Sequence, residues 1–301
     1  MITTEAFNGR YEVVFGNASI LKKSNVQLAD LHVHKGRDTL STARGMMLSA
    51  VEKGIDVIAL ATHDRAPHLS RRNQRLADDL PLEVIQASEM TVMPLRDEKN
   101  HKGKHVLVFE QKGAFEPCDT WGSTYRRAES QEALLFVAHP ELHDISFNDA
   151  EIEIMIKMGM PPHGIEGLNG GGVIIDNDKR IEWVMASRLP QRVKDMFPPP
   201  GSNTRALEIY NTYEIPGLSA GSDAHKKDKV GLAVAVYPEG MTVFDAMREG
   251  EILLAREKDI KQPSIPEVAA IYVRGMHLDK PSKRSATVHD IPGIASEELV
   301  V

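Results

Sequence analysis

The stretch VQLADLHVH, residues 26–34, reads as a buried strand that ends in two histidines and is followed by Lys35 and Gly36. Successive side chains of a strand point to opposite faces, so we expect His32 and His34 to share one face and Leu31 and Val33 the other. Neutral imidazole is a common metal ligand, and two imidazoles at one strand end can reach the same cation. The motif predicts a metal site, with a pair of ordinary histidines as the alternative.

Downstream of this strand, short apolar runs alternate with segments of helical periodicity. Six further segments have the character of strands: DVIALAT (56–62), LEVIQASE (82–89), KHVLVFE (104–110), LLFVAHP (134–140), GIEGLNG (164–170) and GLSAGSD (217–223). Three have the apolar spacing of helices: STARGMMLSAVEKG (41–54), DAEIEIMIKMG (149–159) and SNTRALEIYNTYEI (202–215). This alternation predicts βα units around a parallel sheet or barrel.

Polar side chains gather at the ends of the predicted strands, where barrel enzymes build their active sites. Six of the twelve histidines lie there beside two carboxylates; the set is His32, His34, His63, Glu89, His105, His139, Asp223 and His225. Structural histidines are not expected to sort in this way. The placement favours a metal centre made of nitrogen and oxygen ligands, which suits Zn, Mn or Fe.

The overall composition narrows the class of protein. With 36 basic and 43 acidic residues, the formal net charge of −7 argues against broad binding to nucleic acid or to anionic membranes. The single cysteine, Cys118, excludes an intrachain disulfide. The first residues lack the pattern of a secretory signal, and no apolar run reaches the length of a membrane span. We expect a cytoplasmic protein without a membrane partner or a clear nucleic-acid-binding surface.

The motif series DLHVH, ATHD, ASE, HVLVF, AHP and GSDAH resembles the polymerase and histidinol phosphatase (PHP) family of metal-dependent phosphoesterases in order and approximate spacing. The resemblance covers roughly residues 26–255. It implies an α/β fold, namely a distorted seven-stranded (β/α) barrel, with two or three divalent metal ions. It also implies hydrolysis of a phosphate mono- or diester through a metal-bridging hydroxide, and a small-molecule or nucleotide phosphoester as the substrate.

The resemblance also assigns the ligands. The first ion would be held by His32, His34, Glu89 and Asp223. Glu89 would bridge to a second ion held by His105 and His139. His63 and His225 would hold a third ion together with Asp38, and Glu89, Asp223 and His225 would act in catalysis.

Two departures from the family pattern concern the third ion. The family usually reads Thr-Asp-His where this chain has Ala61, Thr62 and His63, and the loop that offers Asp38 is one residue short. Two basic residues beside the motifs, Arg65 and Lys226, are candidates for substrate-phosphate contacts.

Residues 1–25 form a predicted N-terminal extension, residues 26–260 a metal-dependent hydrolase domain with a helical insertion at about 171–202, and residues 261–301 an irregular tail. Three alternatives remain. The same centre could cleave C–N (amide) bonds, because fold and ions do not dictate the scissile bond. The domain could be an inactive metal-binding interaction module. GLSAG, residues 217–221, matches a nucleophile elbow with Ser219, but a helix is not expected directly after it.

Overall fold

The computed structural model describes residues 5–7, 10–16, 20, 25–36, 39–95, 103–142, 145–176, 200–258 and 260. Within these residues, eleven strands form one mixed sheet. They are β1 (Glu5–Phe7), β2 (Tyr11–Gly16), β3 (Val26–His34), β4 (Val57–His63), β5 (Glu83–Val92), β6 (Lys104–Phe109), β7 (Leu134–Val137), β8 (Gly164–Asn169), β9 (Gly217–Gly221), β10 (Ala233–Pro238) and β11 (Leu253–Glu257).

Seven α-helices occur in the described part of the chain. They are α1 (Ala43–Glu52), α2 (Arg71–Asp79), α3 (Trp121–Gln131), α4 (Asp149–Lys157), α5 (Gly170–Asp176), α6 (Ser202–Thr212) and α7 (Val243–Arg248). None of the described helices is long and apolar enough to cross a membrane. The predicted tail, residues 261–301, and residues 177–199 of the predicted insertion lie outside the described residues.

The sheet is ordered β1-β2-β11-β10-β3-β4-β5-β6-β7-β8-β9. β3, β4 and β5 are parallel to one another, and so are β7, β8 and β9. β6 runs antiparallel to both of its neighbours, and β10 runs antiparallel to β3. A bridge between Val33 and Ala224, just after β9, joins the two ends of this series, so the sheet curls back on itself.

The predicted α/β class is confirmed, whereas the count of seven strands is not. The sheet has more than seven strands because antiparallel strands extend it beyond β3. β10 pairs with β3, β11 pairs with β10, and β2 pairs with β11. Part of the predicted N-terminal extension therefore belongs to the sheet as β1 and β2. The division into domains stays a prediction.

β3 is buried along most of its length, but its side chains do not alternate strictly. Leu31 packs in the larger core cluster with Ala59 and Ala61, whereas Val33 packs in a second cluster with residues of α1 and α2. The expectation that Leu31 and Val33 share a face is therefore wrong. The register of β3 against β4 shifts between Asp30 and Val33, and this irregularity separates the two side chains while His32 and His34 stay together.

Candidate functional site

The structure brings eight sequence-predicted side chains to one point. They are His32, His34, His63, Glu89, His105, His139, Asp223 and His225. Three groups within this set place their nitrogen or oxygen atoms within 4.8 Å of one another: His34, His63 and His225; His32, His34 and Glu89; and His63, Glu89 and His105.

Glu89 lies at the centre of the cluster and is 1% exposed. Its Oε1 faces one pair of histidines, at 2.9 Å from His105 Nδ1 and 3.0 Å from His139 Nε2. Its Oε2 faces the other side, at 3.2 Å from both His34 Nε2 and His63 Nδ1. One carboxylate thus serves two separate sets of nitrogen atoms.

β5 and β6 together explain how Glu89 reaches this position. The sequence places Glu89 at the end of its strand, but β5 continues to Val92 because it pairs with antiparallel β6. Since β6 runs the other way, His105 near its start lies at the same edge of the sheet as His63 at the end of β4. Residues His63 and Glu89 are direct neighbours across β4 and β5.

His32 and His34 face each other, with 3.0 Å between their Nε2 atoms. Asp223 Oδ1 lies 3.0 Å from His34 Nε2 and 3.8 Å from His32 Nε2. The close passage of β9 depends on Gly221, since a Cβ there would lie 2.3 Å from the Cβ of His32. A glycine of the apparent nucleophile elbow therefore makes room for a histidine. Ser219 is buried within β9, whereas a nucleophile elbow needs a serine exposed at the turn between a strand and a helix, so this alternative is not supported.

Glu166 was not singled out in the sequence, yet its side chain contacts two histidines of the cluster. Its side chain is fully buried, and Oε1 lies 3.1 Å from His32 Nδ1. Oε2 accepts a hydrogen bond from the backbone N–H of His139 at 2.7 Å and another from Asn169 Nδ2 at 3.0 Å. With a proton at Nδ1, His32 turns the lone pair of Nε2 into the cluster, a tautomer assigned from its hydrogen-bond partner.

His139 is held in a conformation that a residue with a side chain rarely adopts, with φ of +31°. The hydrogen bond from its backbone to Glu166 stabilises this turn. Ser146 Oγ lies 2.8 Å from Nδ1 of the ring, so Nε2 faces Glu89. The backbone strain at His139 is of the kind that persists at functional sites.

The electrostatics of the cluster favour positive charge. Burial raises the pKa of Glu89, but the surrounding histidines, His105 and His63 foremost, outweigh it and hold this pKa well below its usual range. Burial lowers the pKa of His34, yet Asp223 and Glu89 outweigh it and raise the pKa to about 9. Burial also lowers the pKa of His32, but the carboxylates, led by Glu166, outweigh it and raise this pKa well above its usual value. The carboxylates that favour protonated histidines would attract a metal cation in the cluster in the same way.

The remaining predicted residues are more peripheral. Asp38 lies outside the described residues. Arg65 is exposed, and Lys226 is half-buried beside His225. Asp64, next to His63, is not aimed at the cluster: it accepts hydrogen bonds from the backbone N–H and the hydroxyl of Thr91 at 2.7 and 2.9 Å and so fastens β4 to β5.

The donor set fits divalent metal ions. Glu89 Oε2 is buried and, among the described residues, accepts no hydrogen bond of acceptable geometry, although two imidazoles lie close to it. An oxygen removed from water without such a bond is costly unless a cation meets it. Imidazole nitrogens with carboxylate oxygens are ligands that Zn, Mn and Fe accept.

Residues 200–252 match the family model described as PHP-associated, a segment that contains Asp223 and His225. This match confirms the resemblance to the PHP family. A search of curated proteins finds no significant match.

Among solved structures, a protein of Bifidobacterium adolescentis described as a metal-dependent phosphoesterase shares 14% identity, with 73% of this chain and 94% of that chain covered and a TM-score of 0.48. A lesion-specific endonuclease of Pyrococcus furiosus shares 13% identity over 86% and 73% of the two chains, with a TM-score of 0.45. An amidohydrolase of Chromobacterium violaceum shares 11% identity over 77% and 98%, with a TM-score of 0.46.

Proposed function

We propose that this protein is a metal-dependent phosphoesterase that hydrolyses a phosphate mono- or diester. The observation that carries the proposal is Glu89, a buried carboxylate whose two oxygens face two different sets of histidines. A carboxylate in this position suits a bridge between two cations, and centres with two metal ions are common among phosphatases and nucleases.

Each side chain has a role in this proposal. His32, His34, Glu89 and Asp223 would hold one divalent ion, and Glu89, His105 and His139 a second. His63 and His225 would hold a third ion, with Asp38 as its further ligand. Glu166 orients His32 through Nδ1, and Ser146 orients His139 in the same manner.

Bound divalent ions would activate water as the nucleophile and neutralise charge that develops on the phosphoryl oxygens. The protein supplies a buried cluster that excludes most water, since His32, His34, Glu89 and His139 are each at most 4% exposed. Asp223, with a fifth of its side chain exposed, lies where the cluster opens to solvent. The ester is expected to enter on that side.

The substrate proposed is a small-molecule or nucleotide phosphoester, and the location proposed is the cytoplasm. Arg65 and Lys226, close in sequence to His63 and His225, are the proposed contacts for the substrate phosphate. The ions proposed are two or three of Zn, Mn or Fe.

A substrate panel tests the proposal. The purified protein is stripped with a chelator, reloaded with Zn, Mn or Fe, and assayed with p-nitrophenyl phosphate, bis(p-nitrophenyl) phosphate and p-nitroanilide amides. We expect metal-dependent release from at least one phosphate ester and none from the amides. Amide cleavage alone would establish the C–N hydrolase instead. Tight metal binding without turnover on the whole panel would favour the inactive module.

A further inference from the structure

Two neighbouring helices carry their charges in an unfavourable order. The first turn of α1 holds Arg44, and the first turn of α2 holds Arg71 and Arg72, while neither helix has an acidic residue there. α2 ends in Asp78 and Asp79. The helix dipole favours acids at the start and bases at the end, typically by about 0.3–1 kcal/mol per residue. Both helices forgo this stabilisation.

Two helices elsewhere in the protein, α4 and α7, follow the usual order. α4 begins with Asp149 and Glu151 and ends with Lys157. α7 begins with Asp245 and ends with Arg248. α1 and α2 follow β3 and β4, the strands that carry His34 and His63, and the arginines in their first turns do not contribute to helix stability.

The beginning of α2 is fastened close to the histidine cluster. Lys35, the residue after His34, donates a hydrogen bond from Nζ to the backbone carbonyl of His68 at 2.8 Å. Ser88, the residue before Glu89, donates from Oγ to the carbonyl of Arg65 at 2.7 Å. Arg71 follows His68 by three residues, so its Cα lies within about 11 Å of that anchored point.

The beginning of α1 is fastened to the other side of the cluster. The backbone N–H of Leu40 donates to the carbonyl of His225 at 2.9 Å. The backbone N–H of Lys227 donates to Ser41 Oγ at 3.0 Å. The first turn of α1, which contains Arg44, thus lies next to the segment KKDK, residues 226–229, which follows His225.

Six basic side chains share this region and are all exposed. We name them the basic rim: Arg44, Arg65, Arg71, Arg72, Arg75 and Lys227. In the part of the chain that the structure describes, none of the six has a side-chain ion pair or hydrogen bond, even though acidic residues outnumber basic ones over the whole chain. Guanidinium groups that are not paired internally are suited to phosphate oxygens.

We propose that the basic rim binds the backbone phosphates of a nucleic-acid strand on either side of the phosphoester held at the histidine cluster. The proposal rests on the proposed phosphoesterase function and names its substrate class, beyond the sequence-based expectation of no clear nucleic-acid surface. The basic rim is not apparent in the sequence, because its arginines are spread over a loop and two helices of a chain with net negative charge.

The width of the rim favours a strand over a single phosphate. α1 and α2 contact each other, and packed helices lie about 8–10 Å apart. Arg71 and Arg75 are one helical turn apart on α2, a rise of about 6 Å. One phosphate group offers only two or three free oxygens and cannot engage six basic side chains spread over these distances, whereas successive phosphates of a strand can.

Binding is measured on the full-length protein in EDTA, so that neither metal nor turnover is needed. The probes are 3′-fluorescein oligothymidylates of one, two, four and eight nucleotides, followed by fluorescence anisotropy at several salt concentrations. The affinity of the wild-type protein should rise with length. In the variant Arg71→Gln/Arg72→Gln, the slope of log K against log salt for the eight-mer should fall by about 1.4, and the affinity at 0.1 M salt by about 25-fold.

The control variant Arg126→Gln/Lys157→Gln also removes two positive charges, one from α3 and one from α4. It should bind the eight-mer nearly as tightly as the wild-type protein does. Because Arg71 and Arg72 oppose the dipole of α2, their loss should leave the thermal melting temperature unchanged or raised. Absence of wild-type binding would overturn the proposal, as would equal losses in both double variants or equal losses for the one-mer and the eight-mer. A failed phosphoesterase assay would leave this binding result standing.

Discussion

The substitution Glu166→Gln tests how the cluster is oriented. Glu166 has two acceptor oxygens and serves three donors: His32 Nδ1, the backbone N–H of His139 and Asn169 Nδ2. Glutamine has a single acceptor oxygen, and its amide nitrogen is a donor. If the amide nitrogen faces His32, that ring must shift its proton to Nε2 and lose the lone pair turned into the cluster. In the opposite orientation, the amide nitrogen faces two other donors.

The expected magnitude follows from this count. Loss of an outer hydrogen bond to a metal-binding histidine typically lowers metal affinity about 10–100-fold, or about 1.4–2.8 kcal/mol. Glu166 contacts both His32 and His139, which belong to the two proposed sites on either side of Glu89. We therefore expect the loss to affect two ions rather than one, with each affinity reduced by a factor in this range.

The assay is a competition titration of the stripped protein with a chromophoric chelator, with circular dichroism to verify the fold. The cobalt(II) absorption spectrum of the variant should also change, since the ligand field depends on which nitrogen of His32 is available. Glu208→Gln, an exposed glutamate on α6, is the matched control and should change neither quantity. Unaltered affinities and an unaltered cobalt spectrum in a folded Glu166→Gln protein would refute the orienting role.

Four further outcomes are expected. Glu89→Gln should nearly abolish hydrolysis and weaken binding of both ions, while Glu83→Gln at the exposed start of the same strand should not; normal turnover and metal content in Glu89→Gln would disprove the bridge. Metal binding should release protons and tighten at least tenfold per pH unit between about pH 6.5 and 9, because the pKa of His34 is raised to about 9 and that of His32 is also raised. In the metal-free protein, the unfolding free energy should fall as the pH rises. The raised histidine pKa stabilises the fold fully below about pH 6.5, and this contribution is lost as the pH rises through about 9. An unfolding free energy that calorimetry finds unchanged between these pH values would contradict this expectation. Gly221→Ala should lower the unfolding free energy by about 1–3 kcal/mol, because the new Cβ overlaps His32, and an unchanged denaturant midpoint would count against this packing.

Much of the candidate site is predictable because its residues stand at recognisable strand ends. The segment 26–34 is a strand with the predicted bounds, and His63 ends β4 as expected. Glu166 escaped notice because a lone glutamate inside the short segment GIEGLNG gives no pattern; its partners come from other strands. Its importance depends on pairing between β8 and its neighbours, which local periodicity does not encode.

The details of the sheet were less predictable for the same reason. No glycine or proline marks the register shift after Asp30 in the sequence, yet this shift places the side chains of Leu31 and Val33 in different core clusters. The antiparallel direction of β6 is set by its long-range pairing with β5 and β7, although its sequence resembles that of a parallel strand. α2 was missed because its charged composition lacks an apolar stripe, and only Ala77 of the helix is buried.

Metal stoichiometry tests the central claim most directly. The protein is stripped with a chelator, reloaded with Zn, Mn or Fe, passed through a desalting column and analysed for metal per chain, with phosphate-ester hydrolysis measured on the same samples. We expect at least two ions per chain with the preferred metal, and hydrolysis that appears only as the second ion is retained. Retention of less than one ion per chain under all three metals would contradict the bridged centre at Glu89.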